Sequence, residues 1–238
     1  MIRLDKYLAN MGMGTRKEVK KSVKNGEVLV NDEVILDPGH KVDEDKDAVV
    51  FQGVRIYYFD YVYLMLNKAK GYVSSTDDPL YPTVLELIDP YFYNFEPHPV
   101  GRLDVDTTGL LILTNDGQLS HKLTSPRRGV VKTYEAVVSG RVGEKEIEAF
   151  KKGLYIKSLD YTTLPADLRV LTRGEISTIS LDIQEGKFHQ VKNMFKAVGM
   201  EVLELKRVKM GSLSLDEDLE EGEYRMLTDE EVRALEEL

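Results

Sequence analysis

The sequence predicts an α+β protein in two parts, a small unit over residues 1–58 and a larger domain over residues 60–238. Three observations lead there. Strand and helix patterns follow one another without the regular alternation of a doubly wound sheet. Ile176–Ile183 sets Ser177, Ile179, Leu181 and Ile183 against Ile176, Thr178, Ser180 and Asp182, the period of a half-buried strand. Thr15-Arg-Lys-Glu18 is a capping box, which opens a helix near the N-terminus.

The elements of the first unit can be taken in order. Leu4, Leu8 and Met11 recur at helical spacing, and Gly12–Gly14 breaks that helix. The helix opened by Thr15 ends at Asn25-Gly26, a typical C-cap pair. Glu27–Val30 and Glu33–Leu36 are short strands joined by Asn31-Asp32, a hairpin signal, and Ala48–Phe51 is another strand. A linker is expected near residues 52–60.

The second helix has a distinctive charge pattern. At 100° per residue, Arg16, Lys17, Lys20, Lys21 and Lys24 fall within an arc of about 140°, with Val19 and Val23 together outside it. Along that helix only Glu18 offsets them. One cationic face and one buried face suit contacts to nucleic-acid phosphates.

In the larger domain, Tyr61–Leu66 and Leu110–Thr114 read as strands, and Lys132–Ser139 as a third with partial alternation. Gln190–Val198 reads as a helix, because Val191, Met194, Phe195 and Val198 lie at i, i+3, i+4, i+7. Thr228-Asp-Glu-Glu231 is a second capping box, opening a short acidic helix expected to be solvated.

Composition narrows the chemistry. There is no cysteine, so disulfides, thiol catalysis and iron–sulfur clusters are excluded. The four histidines (His40, His98, His121, His189) are not paired at a metal-ligand spacing. No apolar run approaches the roughly 18 residues of a membrane span. The N-terminus has no signal-like apolar stretch, so a cytoplasmic location is the default expectation. The net charge of -9 looks wrong for a nucleic-acid binder until it is located. Residues 215–238 hold eleven acids against two arginines, which accounts for all of it; the remainder is neutral, with local basic patches.

The densest cluster of chemistry is Gly101-Arg-Leu-Asp-Val-Asp-Thr-Thr-Gly-Leu110. A calcium loop accounts for Asp104, Asp106 and Gly109, but Asn115 stands where the closing acid belongs. A glycosidase pair needs one carboxylic acid kept protonated, and Arg102 beside Asp104 and Asp106 opposes that.

The same segment resembles the catalytic motif of pseudouridine synthases, in the branch that includes the RsuA-type ribosomal small-subunit enzyme. Lys132-Thr-Tyr134 resembles the motif that supplies an active-site tyrosine. Glu185-Gly-Lys-Phe-His-Gln-Val-Lys192 resembles the one that supplies a basic partner for the aspartate. Leu66-Asn-Lys68 with Gly71–Pro79 resembles the strand and loop that precede the catalytic motif. Arg3-Leu-Asp-Lys6, Thr15-Arg-Lys17, Asn25-Gly26 and Val28–Asn31 resemble an S4 RNA-binding domain. The likeness spans nearly the whole chain. It departs at Ala69, where the family usually has proline, and at Asn193, often basic.

The resemblance implies an S4 domain followed by a mixed, largely antiparallel β-sheet catalytic domain flanked by helices. It implies Asp104 as the catalytic residue, with Arg102, Tyr134 and Lys192 binding substrate. The S4 likeness and the cationic face of the second helix together give expected RNA contacts from Arg3, Lys6, Arg16, Lys17, Lys20, Lys21 and Lys24. Isomerisation breaks N1–C1′, turns the base and forms C5–C1′, with no net redox or hydrolysis, so no cofactor is expected. The partner implied is ribosomal RNA, 16S above all, or a subunit assembly intermediate, met by a monomer. His189 is expected to be structural or to touch RNA. The competing readings are the same reaction on a large-subunit uridine, and an S4-type RNA-binding or ribosome-assembly protein without catalysis.

Overall fold

A computed structural model describes all 238 residues. By contacts the chain divides into one unit of Met1–Val62 with Asp89–Glu96, and a second of Tyr63–Ile88 with Pro97–Leu238.

In the first unit, strand β1 (Ile2–Arg3) leads into helix α1 (Leu4–Asn10), and α2 (Arg16–Lys24) follows. Both halves of the Thr15–Glu18 capping box form. Leu4, Leu8, Val19 and Val23 are fully buried, as their helical spacing requires. Four short antiparallel strands come next in a sheet of order β3-β2-β5-β6: β2 (Val28–Val30), β3 (Glu33–Val34), β5 (Val49–Phe51) and β6 (Val54–Ile56). Strand β4 (Lys41–Val42) pairs β1. Asn31 and Asp32 both have positive φ (51° and 67°), the backbone of a two-residue hairpin whose twist matches its strands. The linker expected at 52–60 is partly strand, since 54–56 pair with β5 while 57–60 lie outside the strands. Gln52-Gly53 turns the chain, also at positive φ, and β6 pairs β5.

In the second unit one mixed sheet runs β13-β14-β10-β15-β9-β7-β17. Its strands are β7 (Tyr63–Lys68), β9 (Thr108–Thr114), β10 (Lys132–Ser139), β13 (Asp167–Thr172), β14 (Ile176–Ile183), β15 (Val202–Met210) and β17 (Tyr224–Met226). Strand β8 (His98–Pro99) adds to β9, and β16 (Leu213–Ser214) to β15. Strands β11 (Tyr155–Ile156) and β12 (Tyr161–Thr162) form a separate ribbon. Every named strand pair is antiparallel except β9 with β15, so the expected mixed, largely antiparallel sheet is borne out. Helices α3 (Gly117–Thr124), α4 (Glu144–Lys152), α5 (Gln190–Ala197) and α6 (Asp229–Glu236) flank it.

The parallel pair depends on one glycine. Gly109 has φ of +98°, and a Cβ there would lie 2.2 Å from the carbonyl oxygen of Arg207. Only glycine accepts both the backbone angle and the approach. Strand β9 is buried along its whole length, and Leu110, Ile112, Met65, Leu119 and Leu123 form one core with it.

The acidic C-terminal helix, expected to be solvated, exposes most of its charged side chains but buries one face. β17 completes the sheet edge against β7, and Leu235 of α6 is fully buried in the same core. The Arg225 guanidinium binds Asp216 at 2.6 Å and Glu231 at 2.8 Å, so part of the acidity is neutralised in place. Val232 and Leu235, three apart, carry the apolar stripe that the charge density hides. No helix is long and apolar enough to cross a membrane.

Candidate active site

The loop that enters β9 is clamped from two sides. Ser74 Oγ donates to the carbonyl of Leu103 and accepts from its N–H, both at 3.0 Å. Lys68, at the end of β7, is fully buried beneath the loop. Its Nζ donates to the carbonyls of Thr107 (2.8 Å), Ala69 (3.0 Å) and Val105 (3.3 Å). Burial pushes that ammonium down to about 8, against the pull of Asp106 and Asp104. Within the loop the N–H of Thr107 reaches back to the Asp104 carbonyl at 3.0 Å, a tight turn that presents Asp104 and Asp106 outward.

Helix α5 supplies the cation. Lys192 Nζ lies 3.1 Å from Asp104 Oδ2 and 2.6 Å from Asp106 Oδ1. Burial works against its charge, but the hydrogen bonds to both aspartates prevail, and its ammonium is held above the usual lysine value. For Asp106, burial is likewise outweighed by the Lys192 hydrogen bond, and its carboxyl is held below the usual range. His189 Nε2 lies 3.6 Å from Asp104 Oδ1. It caps α5 from a left-handed backbone (φ 49°) and stacks on Phe188, ring centroids 3.7 Å apart.

Asp104 lines a cleft with Arg102, Tyr134, Thr107, His189 and Leu205. Tyr134 stands on the buried face of β10, with its side chain in the cleft wall. The cleft therefore offers one reachable carboxylate, a fixed cation behind it and an aromatic wall. That set can hold a flat base and act on its sugar.

The residues singled out in the sequence separate into two groups. Asp104, Arg102, Tyr134 and Lys192 converge here. The seven cations expected to meet RNA belong to the first unit, and not all stand free. The fully buried carboxylate of Asp5 binds Arg3 at 3.0 Å, Arg16 at 3.3 Å and Lys20 at 3.6 Å. Arg3's hydrogen bonds hold the Asp5 carboxyl below its usual range, against its burial. So Glu18 is not the only acid that answers the basic helix. Lys6, Lys17, Lys21 and Lys24 are exposed and make no ion pair.

The sequence reading gave no site role to Asp106, Lys68 or Phe188, although Asp106 was weighed as a calcium ligand and as one of a carboxylate pair. Asp106 and Lys68 lay inside the motifs quoted but carried no local sign of their contacts. Phe188 lay inside a quoted motif as well, and its 71% exposure beside the cleft shows only in the fold.

The loop carrying Asp104 enters the central strand β9, Tyr134 stands on β10 with β15 between the two strands, and Lys192 comes from helix α5. Residues 62–197 match the RNA pseudouridylate synthase family, to which this chain belongs, and residues 2–48 match the S4 domain. The chain is 47% identical to an uncharacterised RNA pseudouridine synthase of Bacillus subtilis, with 99% of each covered. It is 40% identical to the ribosomal small subunit pseudouridine synthase A of Escherichia coli, over 98% of this chain and all of that one. The Vibrio cholerae protein of the same name is 42% identical, covering 98% and 99%. A crystal structure of a pseudouridylate synthase superposes with a TM-score of 0.69 at 39% identity, covering 99% of this chain and 100% of that one.

Proposed function

We propose that this RNA pseudouridine synthase isomerises one uridine of small-subunit ribosomal RNA, with Asp104 as its catalytic residue. It acts as a cytoplasmic monomer, on the RNA itself or on a subunit assembly intermediate. The observation that carries the reading is the Asp104–Lys192 pair in a cleft walled by Tyr134. Full-length identity of about 40% to relatives named for the small subunit supports the choice of RNA.

The target uridine leaves its stack and enters the cleft, at a cost of a few kcal/mol offset by stacking and hydrogen bonds inside. Tyr134 is the stacking wall and Arg102 holds the flanking backbone. As N1–C1′ breaks, uracil departs with the electron pair on N1. The base turns, C5 bonds C1′, and the proton displaced from C5 is replaced by one on N1, so atoms and charge balance. Asp104 enters by attack on C1′, by addition at C6 or by removal of the C2′ proton. All three routes use a carboxylate oxygen facing the nucleotide, and Lys192 at 3.1 Å fixes where the carboxylate stands. Arg3, Lys6, Arg16, Lys17, Lys20, Lys21 and Lys24 provide RNA affinity from residues 1–58, and residues 60–238 provide the chemistry.

The test maps pseudouridines in ribosomal RNA from cells with and without the protein, alongside cells carrying Asp104→Asn. One small-subunit site should vanish in the deletion and stay absent with Asp104→Asn. A lost site in the large subunit corrects the substrate. An Asp104→Asn protein that keeps more than about a tenth of the wild-type rate in single turnover removes Asp104 from the mechanism.

A further inference from the structure

A second cleft, of about 380 Å³, adjoins the first and shares Arg102 and Tyr134 with it. Two buried cations face it. Lys132 is 8% exposed and Arg207 is 3% exposed. Lys132 lies two residues before Tyr134 on β10, hence on the same face, and Tyr134 pairs with Arg207 across to β15. Arg207 Nε donates to the carbonyl of Leu110 at 2.8 Å, which fixes the guanidinium, yet its Nη2 is buried with no hydrogen-bond partner. Lys132 has no ion-pair or hydrogen-bond partner either.

Ordinary packing does not account for this. A buried charge is normally paired, because desolvation is costly. Here burial, with Arg207 adding its repulsion, pushes the Lys132 ammonium below the usual lysine value. The one carboxylate in the cleft wall does not answer them. Glu185 is taken by the backbone N–H of Leu164 and the side-chain amide of Gln190, both at 2.9 Å. Arg102 and Lys187 add two more cations to the same walls.

We propose that Lys132 and Arg207 form a phosphate site that grips a backbone phosphate next to the target uridine while the base lies against Tyr134. The proposal rests on the reading of the chain as an RNA uridine isomerase. The ligand is a phosphodiester, because the two cations line one cleft, Arg207 keeps guanidinium N–H groups that no protein acceptor uses, and the reacting nucleotide lies on the other side of Tyr134. The anion supplies the missing charge, so the site is complete only when RNA is bound. Lys132 and Arg207 are positioning residues. They fix where the ribose stops relative to Asp104.

The test uses an RNA stem-loop holding the mapped uridine, with one linkage at a time made a neutral methylphosphonate. Wild type should lose about tenfold or more in kcat/KM at one linkage beside the uridine. Lys132→Gln should show that loss on unmodified RNA and no further loss at that linkage, while other linkages keep their effect. A Lys132→Gln protein as sensitive as wild type at every linkage overturns the proposal. A second readout needs no variant. Lys132 of the wild-type protein is acylated with an amine-selective reagent and followed by mass spectrometry. Intact RNA should shield it, and RNA neutralised at the marked linkage should not. Equal shielding by both overturns the site. Should the wild type bind the stem-loop without forming pseudouridine, the proposed reaction fails. The shielding comparison still reports on the phosphate in that case.

Discussion

Asp104 makes its contacts with side chains that come from other parts of the sequence, and each can be removed separately. Lys192→Met leaves Asp104 and Asp106, two anions in one turn, without the ammonium that bridges them. The expected outcome is a fall in kcat of about a hundredfold with RNA affinity within a few-fold, since a fixed charge at the reacting centre acts on the transition state. Single-turnover rates set against filter binding check it, and an equal loss in both would make Lys192 an RNA contact instead. Lys68 makes a pH prediction. Its folded value is near 8, below the ordinary lysine value of about 10.4. Between those limits the unfolded chain binds more protons than the native one, so stability rises with pH through that window. Chemical denaturation at pH 8 and pH 10 should show wild type gaining on Lys68→Met by about 2 kcal/mol at most. Activity moves the opposite way. Losing the proton removes a donor from the clamp under the loop, so kcat should decline above pH 8, and Lys68→Met should be slow at every pH. A wild-type rate that stays flat to pH 10 would separate the clamp from catalysis.

The basic helix α2 and the strands around the cleft were legible to different degrees. Lys132–Ser139 and Ile176–Ile183 form strands with the bounds read from the sequence, because their alternation is a local signal. The Thr15 and Thr228 capping boxes also formed as read. Strand β6 was missed although Gln52-Gly53 is a turn pair, since three residues with two exposed give no period to count. The Asp5 hub was hidden for another reason. An acid on a helix reads as surface, and its burial is set by Arg3, Arg16 and Lys20 arriving from elsewhere. That hub also sharpens the expectation for RNA binding. Lys17, Lys21 and Lys24 carry no ion pair, so changing all three to Gln should flatten the salt slope of log affinity by about two to three units. Asp5→Asn should do the reverse, freeing three cations and steepening the slope, while stability falls by about 2 kcal/mol. Salt titrations of both variants, read beside their unfolding curves, decide it. Unchanged slopes in both would mean that α2 is only solvated.

Across the whole molecule, what the sequence could not display is non-local. Lys68 reaches the carbonyl of Thr107, and Lys192 reaches Asp106 across 86 positions. Neither pairing has a local period; the cleft was found through motifs whose proximity only the folded sheet explains. The C-terminal segment was misread for a related reason, because eleven acids over residues 215–238 mask the apolar positions spaced among them, Leu215, Leu219, Leu227, Val232 and Leu235. The fold makes those apolar positions matter. Leu235→Ala should cost about 2–4 kcal/mol, the range for a buried leucine whose site collapses only partly. Thermal unfolding should show a lower midpoint, with RNA affinity intact at low temperature. A loss below 0.5 kcal/mol, the range of ordinary surface substitutions, would return α6 to the solvent.

The pairing of Tyr224–Met226 with Leu64–Leu66 joins the last strand of the chain to the first strand of its sheet. A nascent polypeptide exposes β7 long before its partner has been translated. Until Met226 emerges, β7 keeps an open edge, and such edges recruit other extended chains. Ribosome pausing before codon 224 is therefore expected to leave a species prone to pair through β7, since the sheet closes on that side only once β17 has been made.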